Sequence, residues 1–118
     1  MKHWLVATYK INEIKTVENN LSNQSLDYYL PKIVIKKHNR NPKEGAMFPG
    51  YIFINTDVEK YSAVSYTKGI KKIIRFGANI AHLSDEEIKS IKLIEKSSRL
   101  EPLVPTIKIG QEVNMWHF

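Results

Sequence analysis

The side chains that could carry acid–base or metal chemistry are four histidines and one run of carboxylates. No two histidines have the i, i+4 spacing that places two metal ligands on one helix face, so the sequence does not predict a metal site. The carboxylates Asp85, Glu86 and Glu87 follow Ser84 in the S-x-x-E pattern of a helix capping box, which explains them better than a catalytic pair does. The histidines are His3, His38, His82 and His117.

Other catalytic arrangements are missing from the sequence. The chain has no cysteine, which excludes disulfides, thiolate zinc sites and thiol nucleophiles. The phosphate-binding patterns GxGxxG and GxxxxGK[ST] and the nucleophile motif GxSxG do not occur, and the glycines are isolated. We therefore interpret the chain as a binding module with no cofactor, and not as an enzyme.

An aromatic stretch in the middle of the chain is the best candidate for binding. It reads Phe48-Pro49-Gly50-Tyr51-Ile52-Phe53. Continued as one strand, it would direct Phe48 and Ile52 to one face of a sheet, and Tyr51 and Phe53 to the other. Helices must cover one face. The rings of the other face are either sealed by the domain itself or available to a partner, and the alternation alone leaves both possibilities open.

Basic residues are clustered, and the net charge is +6. One group lies within 32–43 and a second within 68–75, both free of acidic residues. Such clusters favour a polyanionic partner. Two recognition modes remain open: a sheet that stacks unpaired bases, or an apolar groove that receives a partner helix beside basic residues that contact nucleic acid.

The length of 118 residues and a hydrophobic content of 42% indicate one folded domain with a real core. No apolar run approaches the roughly 20 residues of a spanning helix. The first residues lack the pattern of a signal peptide, so we expect a cytoplasmic protein without membrane contact. We also expect the protein to be a monomer.

The elements that must position these residues follow from hydrophobic spacing and turn signals. We expect an α+β fold, with a four-stranded, mainly antiparallel sheet sandwiched by helices on the split βαβ plan. Asn12 should cap the first helix, and a solvated hairpin tip should cover 38–45. Strands are expected at 4–9, 26–37, 48–56, 71–76 and 107–113, and helices at 12–23, 58–66 and from 84 onward.

Several of these segments occur in the order and spacing of the N-terminal domain of the NusG family of transcription factors. The chain resembles that family over residues 3 to about 98, through the segments Trp4-Leu5-Val6, Phe48-Pro49-Gly50-Tyr51, Thr67-Lys68-Gly69-Ile70, Arg75-Phe76-Gly77 and Leu83-Ser84-Asp85-Glu86-Glu87. Within the family it is most similar to the specialised RfaH-like paralogues. The resemblance implies an NGN domain at 1–98, a linker at 99–106 and the start of an incomplete KOW-like domain at 107–118.

The resemblance also implies a function, which is transcription elongation and antitermination. The factor would bind RNA polymerase at the clamp helices of the β′ subunit and contact the non-template DNA strand, reducing pausing and termination. The polymerase-binding residues would be Phe48, Pro49, Tyr51, Phe53, Phe76 and Tyr9. The nucleic-acid-binding residues would be Lys10, Thr67, Lys68, Lys71 and Arg75. The alternative is a free-standing module that binds single-stranded nucleic acid.

Overall fold

The computed structural model describes residues 2–102, which form nine strands and three α-helices. The strands are β1 (Lys2–Tyr9), β2 (Asp27–Tyr29), β3 (Lys32–Ile35), β4 (Lys43–Ala46), β5 (Tyr51–Asp57), β6 (Ile70–Ile73), β7 (Arg75–Phe76), β8 (Asn79–Ile80) and β9 (His82–Leu83). The helices are α1 (Ile14–Asn23), α2 (Tyr61–Ser65) and α3 (Asp85–Leu100). Short 3-10 turns at Ile11–Glu13 and Val58–Lys60 precede α1 and α2.

The central sheet has the strand order β2-β5-β1-β6, and β9 pairs with the beginning of β1 beside β6. Each of these pairings is antiparallel, and β5 pairs with β1 along the whole length of β5, from Lys2 opposite Asp57 to Thr8 opposite Tyr51. Two hairpins, β3–β4 and β7–β8, lie outside this sheet. The predicted α+β class is confirmed, with β9 as a fifth strand.

Two hydrophobic layers hold the helices on opposite faces of the sheet. On the first face, Leu5 and Ile52 are fully buried in one cluster with Val17 and Leu21 of α1 and Val64 of α2. On the second face, which we call the α3 face, Val6 and Phe53 are buried in a cluster with Ile88 and Ile91 of α3. The strand alternation of period 2 thus assigns β1 and β5 residues to two separate cores.

Helix α3 begins at the predicted capping box. The Ser84 hydroxyl accepts a hydrogen bond from the Glu87 amide at 3.1 Å, and the Glu87 carboxylate accepts one from the Ser84 amide at 3.2 Å. These two bonds satisfy backbone donors that a helix start leaves unpaired. The helix continues to Leu100, past the predicted end of the first domain at residue 98.

The prediction of one strand over 26–37 is wrong, because Pro31 divides it. Proline has no amide hydrogen to donate to the sheet, and the Pro31 carbonyl instead accepts a hydrogen bond from the Met47 amide at 2.9 Å. The chain therefore leaves the sheet after β2, and β3 pairs with β4 in a separate hairpin that packs on α3. The predicted tip at 38–45 is exposed, although its last residues belong to β4.

Three smaller predictions also need correction. Asn12 does not cap α1, because it lies inside the 3-10 turn and neither helical segment begins with a side-chain cap bond. The strand expected at 71–76 is interrupted at Ile74, whose amide bonds to the Val6 carbonyl at 2.8 Å. The strand expected from Phe48 begins only at Tyr51. Gly69, in the turn after α2, has φ +96°.

No helix within residues 2–102 is both long enough and apolar enough to cross a bilayer. The strand expected at 107–113, and with it the start of a KOW-like domain, lies outside the described residues.

Candidate functional site

The aromatic segment 48–51 is a tight turn that leads into β5. The Tyr51 amide donates a hydrogen bond to the Phe48 carbonyl at 3.0 Å, and Gly50 between them has φ +85°. Only glycine adopts that conformation without strain, so the turn requires the glycine of the motif. The turn also places the Phe48 ring on the face of the sheet opposite to the predicted one. Its ring joins Tyr51 and Phe53 on the α3 face and does not follow Ile52 to the other face.

The rings of this motif differ in exposure. Phe53 is fully buried, so the expectation that its ring stays available to a partner is wrong. Phe48 and Tyr51 are half-buried beside it, and Pro49 is exposed. The Phe48 ring meets the Phe53 ring edge to face at 6.0 Å, and the Tyr29 ring lies 6.3 Å from the Phe53 ring. Phe53 therefore supports a surface formed by Phe48, Pro49 and Tyr51.

On β1 the residue beside the Tyr51 ring is Thr8 and not Tyr9, the residue for which the resemblance implied a polymerase contact. Tyr9 is only 6% exposed and belongs to the cluster under α1, on the face away from the Tyr51 ring. Burial raises the pKa of its phenol. A hydrogen bond with the Gly50 backbone lowers the pKa in part, and the negative charge of Glu18 raises it. Thr8 stands opposite Tyr51 in the register and shares its face. Its Oγ1 is buried and has no hydrogen-bond partner in the described part of the chain.

The predicted cationic residues gather around the turn after α2. Lys10 and Lys68 are exposed, and the Lys10 ammonium lies 3.8 Å from a Glu13 carboxylate oxygen in a weak surface pair. Thr67 is buried, in contrast to the expectation of a nucleic-acid contact. Its hydroxyl donates to the Ala63 carbonyl at 2.9 Å and accepts from the Gln24 amide nitrogen at 2.9 Å, so it fastens the turn to α1 and α2.

The edge strand β6 extends this cationic region. A register shift between Thr8 and Tyr9 leaves Lys71 as an exposed bulge residue. Lys72, which sequence reasoning did not select, is exposed and stands opposite Thr8. Without the bulge, the alternation of β6 would have placed Lys72 on the face that packs against α1. The pairing register instead shows that Tyr51, Thr8 and Lys72 form one cross-strand row on the α3 face.

The hairpin β7–β8 carries the remaining predicted residues. The Arg75 guanidinium lies 5.2 Å from the centre of the Tyr61 ring, within cation–π range. Phe76 is 60% exposed. Its hairpin follows β6, which pairs with β1 on the side opposite to β5. Phe76 is thus an apolar surface residue on a different element from the 48–51 turn.

Two consecutive backbone hydrogen bonds join the aromatic turn to the cationic turn. The Tyr9 amide donates to the Gly50 carbonyl, and the Lys10 amide donates to the Gly69 carbonyl, both at 3.0 Å. Both turns are therefore fastened to successive residues at the end of β1. One turn carries half-buried rings and the other an exposed lysine, so this end of the strand can bind an apolar protein element and an anionic polymer.

A family model described as transcription termination factor NusG matches residues 2–92 of this chain. The chain belongs to the NusG family. A similar solved structure is described as domain interaction in Thermotoga maritima NusG, with a TM-score of 0.52 and 19% sequence identity. The match covers 86% of this chain and 60% of that one, so the chain aligns with only part of that NusG structure, and the likeness concerns the fold.

Membership of the NusG family confirms the resemblance seen in the sequence. The matched region contains both turns described above and the first half of α3. Among residues 2–102, no group of three histidine or carboxylate side chains could hold a metal ion.

Proposed function

We propose that this chain is a transcription elongation and antitermination factor that binds RNA polymerase at the β′ clamp helices and contacts non-template DNA, thereby reducing pausing and termination. The observation that supports it most strongly is the junction at the end of β1, where the Gly50 and Gly69 turns are bonded to successive residues. One surface there is aromatic and the other cationic. Membership of the NusG family connects these surfaces with transcription.

In this proposal the polymerase-facing surface consists of Phe48, Pro49 and Tyr51, with Phe76 at a neighbouring position. Phe53 acts as their buried support, and Tyr9 supports the same strand end from the other face. Half-buried aromatic rings on a fixed turn are suited to receive a partner helix, because they are already ordered and lose little freedom on binding. Thr8 lies beside them, and its buried hydroxyl has no hydrogen-bond partner within residues 2–102.

The DNA-facing surface consists of Lys10, Lys68, Lys71 and Arg75, with Lys72 added from the register. Its contacts would be made to phosphates, which gives a modest affinity that falls as salt increases. Thr67 holds the turn that presents Lys68. We retain the RfaH-like specialisation as part of the proposal, with no DNA motif assigned.

A titration of RNA polymerase with the Tyr51→Ala variant tests the polymerase surface. Loss of an anchoring ring costs about 2 kcal/mol or more at such sites, so we expect at least tenfold weaker binding with an unchanged circular dichroism spectrum. Tyr66→Ala is the matched control, since Tyr66 is 87% exposed at the end of α2. Equal affinity of the Tyr51→Ala variant and the native chain would refute the surface assignment.

The second candidate is a free-standing binder of single-stranded nucleic acid, and the exposed Tyr66 ring next to Thr67-Lys68 in the sequence favours it. An exposed ring beside cations can stack an unpaired base. A gel shift with naked single strands, run beside a polymerase pull-down, separates the two functions. Tight binding to naked strands without polymerase capture would favour the second candidate.

A further inference from the structure

Two histidines that are distant in the sequence meet on the central sheet. His3 lies near the start of β1 and His82 begins β9, and their ring centres are 4.7 Å apart with the ring planes inclined at 52°. The register pairs His82 with Leu5, so His3 is its diagonal neighbour on the same face of the sheet. The fold therefore brings together two imidazoles whose positions in the sequence gave no sign of a pair.

The backbone beneath both rings is fixed by the sheet. His3 lies within the stretch of β1 that pairs with β5. His82 stands between Ala81 and Leu83, which are both buried, and the Ala81 amide donates a hydrogen bond to the Ile74 carbonyl at 3.0 Å. The side chain of His82 is nevertheless exposed, and that of His3 is half-buried. Both rings can thus be reached from solvent while their strands hold them together.

The imidazole nitrogens have no partner within residues 2–102. Neither ring forms a hydrogen bond or an ion pair in that part of the chain. In a neutral imidazole either nitrogen can be the acceptor, so no internal contact dictates which one is available. The last side-chain torsion of histidine has broad minima, so each ring can direct a nitrogen toward a common point without a change of the backbone.

The separation of the two rings fits one bound metal ion. A zinc ion lies about 2.0–2.1 Å from each histidine nitrogen, so two such nitrogens are about 3 Å apart and their ring centres are roughly 4.5–5 Å apart. The observed separation of 4.7 Å lies within this range. The pair can therefore hold an ion without moving the strands apart.

Imidazole nitrogen determines which class of metal the pair can bind. It suits Zn²⁺, Ni²⁺ and Cu²⁺, whereas Mg²⁺ and Ca²⁺ prefer oxygen ligands. Within residues 2–102 no third histidine or carboxylate joins the pair in a larger metal site. Structural zinc sites have four protein ligands, so a site with two leaves positions for water and exchanges its ion readily.

We propose that His3 and His82 form an exchangeable binding site for a divalent transition-metal ion. This site is separate from the polymerase-facing surface of the proposed function. The five residues from His3 to Thr8 correspond to about 17 Å of strand, and Thr8 is the residue that pairs with Tyr51. His3 also lies on the face of Leu5, which is opposite to the α3 face. An ion bound there leaves the 48–51 turn uncovered.

The test is isothermal titration calorimetry of the full chain with Zn²⁺ at about pH 7.5, because metals bind neutral imidazole. The two variants of the pair are His3→Gln and His82→Gln, which keep a polar side chain. The matched control is His38→Gln, which removes an exposed histidine between β3 and β4. A parallel titration uses Mg²⁺. Circular dichroism verifies that each variant is folded.

We expect the native chain and the control to bind Zn²⁺ with equal affinity and to bind no Mg²⁺. Each variant of the pair should bind Zn²⁺ at least about tenfold more weakly, since even a residue that only supports a metal ligand contributes about 10–100-fold to affinity. The proposal is overturned if the native chain binds no Zn²⁺, if either variant of the pair keeps the native affinity, or if the control loses as much affinity as they do.

The outcomes also separate this proposal from the proposed function. Weaker Zn²⁺ binding by both His3→Gln and His82→Gln supports the metal site whatever Tyr51→Ala does to polymerase binding. Conversely, native Zn²⁺ affinity in these variants refutes the metal site and leaves the assignment of the polymerase surface unchanged.

Discussion

Phe48 and Phe53 meet edge to face, with ring centroids 6.0 Å apart and an interplanar angle of 86°. This pair joins a half-buried ring on the surface turn to a fully buried ring beneath α3. Edge-to-face contact is a favoured geometry for aromatic rings and holds the turn against the sheet. Two aromatic residues of one short motif therefore have different physical roles, one in a surface and one in a core.

The first prediction separates stability from binding at this pair. Phe53→Ala should lower the free energy of unfolding by about 3–5 kcal/mol, because it leaves a cavity between Val6, Ile88 and Ile91. Phe48→Ala should cost less stability and mainly weaken polymerase binding. Urea unfolding followed by circular dichroism measures the first quantity. A decrease below about 1 kcal/mol for Phe53→Ala would contradict the core assignment.

The second prediction compares two buried threonine hydroxyls. Thr8→Val removes a hydroxyl that has no partner among the described residues, so stability should stay the same or rise by about 1 kcal/mol. Thr67→Val removes a hydroxyl with two hydrogen bonds and should lower the free energy of unfolding by about 1–3 kcal/mol. Thermal unfolding of both variants gives the comparison. If Thr8→Val destabilised the protein as much as Thr67→Val, the Thr8 hydroxyl would have a partner after all.

The third prediction concerns the cationic turn. Lys68→Ala should reduce crosslinking of the chain to the non-template strand in an elongation complex and should diminish its effect on pausing, because the alanine cannot bind a phosphate. Lys89→Ala on α3 is the control with the same change of charge. The assignment fails if both variants crosslink like the native chain.

The fourth prediction uses the phenol of Tyr29. Burial raises its pKa above the usual 10.0, and the hydrogen bond that the phenol donates to Glu95 at 2.9 Å raises it further. The folded protein holds this proton more tightly than the unfolded chain does. Its contribution to stability is therefore complete below a pH of about 10 and declines as the pH rises above that value.

Tyr29→Phe should remove much of this decline with pH. At a pH of about 8 the native phenol is not ionised, and the variant, which lacks the hydrogen bond to Glu95, should have a free energy of unfolding lower by about 1 kcal/mol. Tyr28→Phe, the neighbouring residue on the other face of β2, is the control. Unfolding curves between about pH 8 and pH 11 provide the measurement. Parallel pH profiles for the native protein and Tyr29→Phe would show that this phenol does not govern the decline.

Several features of this protein could be predicted from local sequence because local interactions create them. The Ser84–Glu87 capping box, the apolar β1 strand and the positive φ of Gly69 all arise from residues close together in the chain. The aromatic and cationic segments were also recognisable by composition and family motif. The antiparallel sheet between helices followed from the order of these elements.

Which face each ring occupies depended on contacts between distant segments. The 48–51 turn moved Phe48 to the α3 face, and the register of β1 placed Thr8, not Tyr9, beside Tyr51. A shift of one residue in a strand exchanges its faces, and a local pattern cannot reveal a turn or bulge that causes the shift.

Burial of Phe53 was likewise decided by tertiary structure. Its sequence neighbours allow either an exposed or a covered ring, and α3, which begins far later in the chain at Asp85, covers it with Ile88 and Ile91. The amino-acid sequence by itself determined which side chains could bind and where α3 begins. Only the packing of α3 and the strand register decided which of those side chains reach the surface, because exposure depends on what the rest of the chain places above each residue.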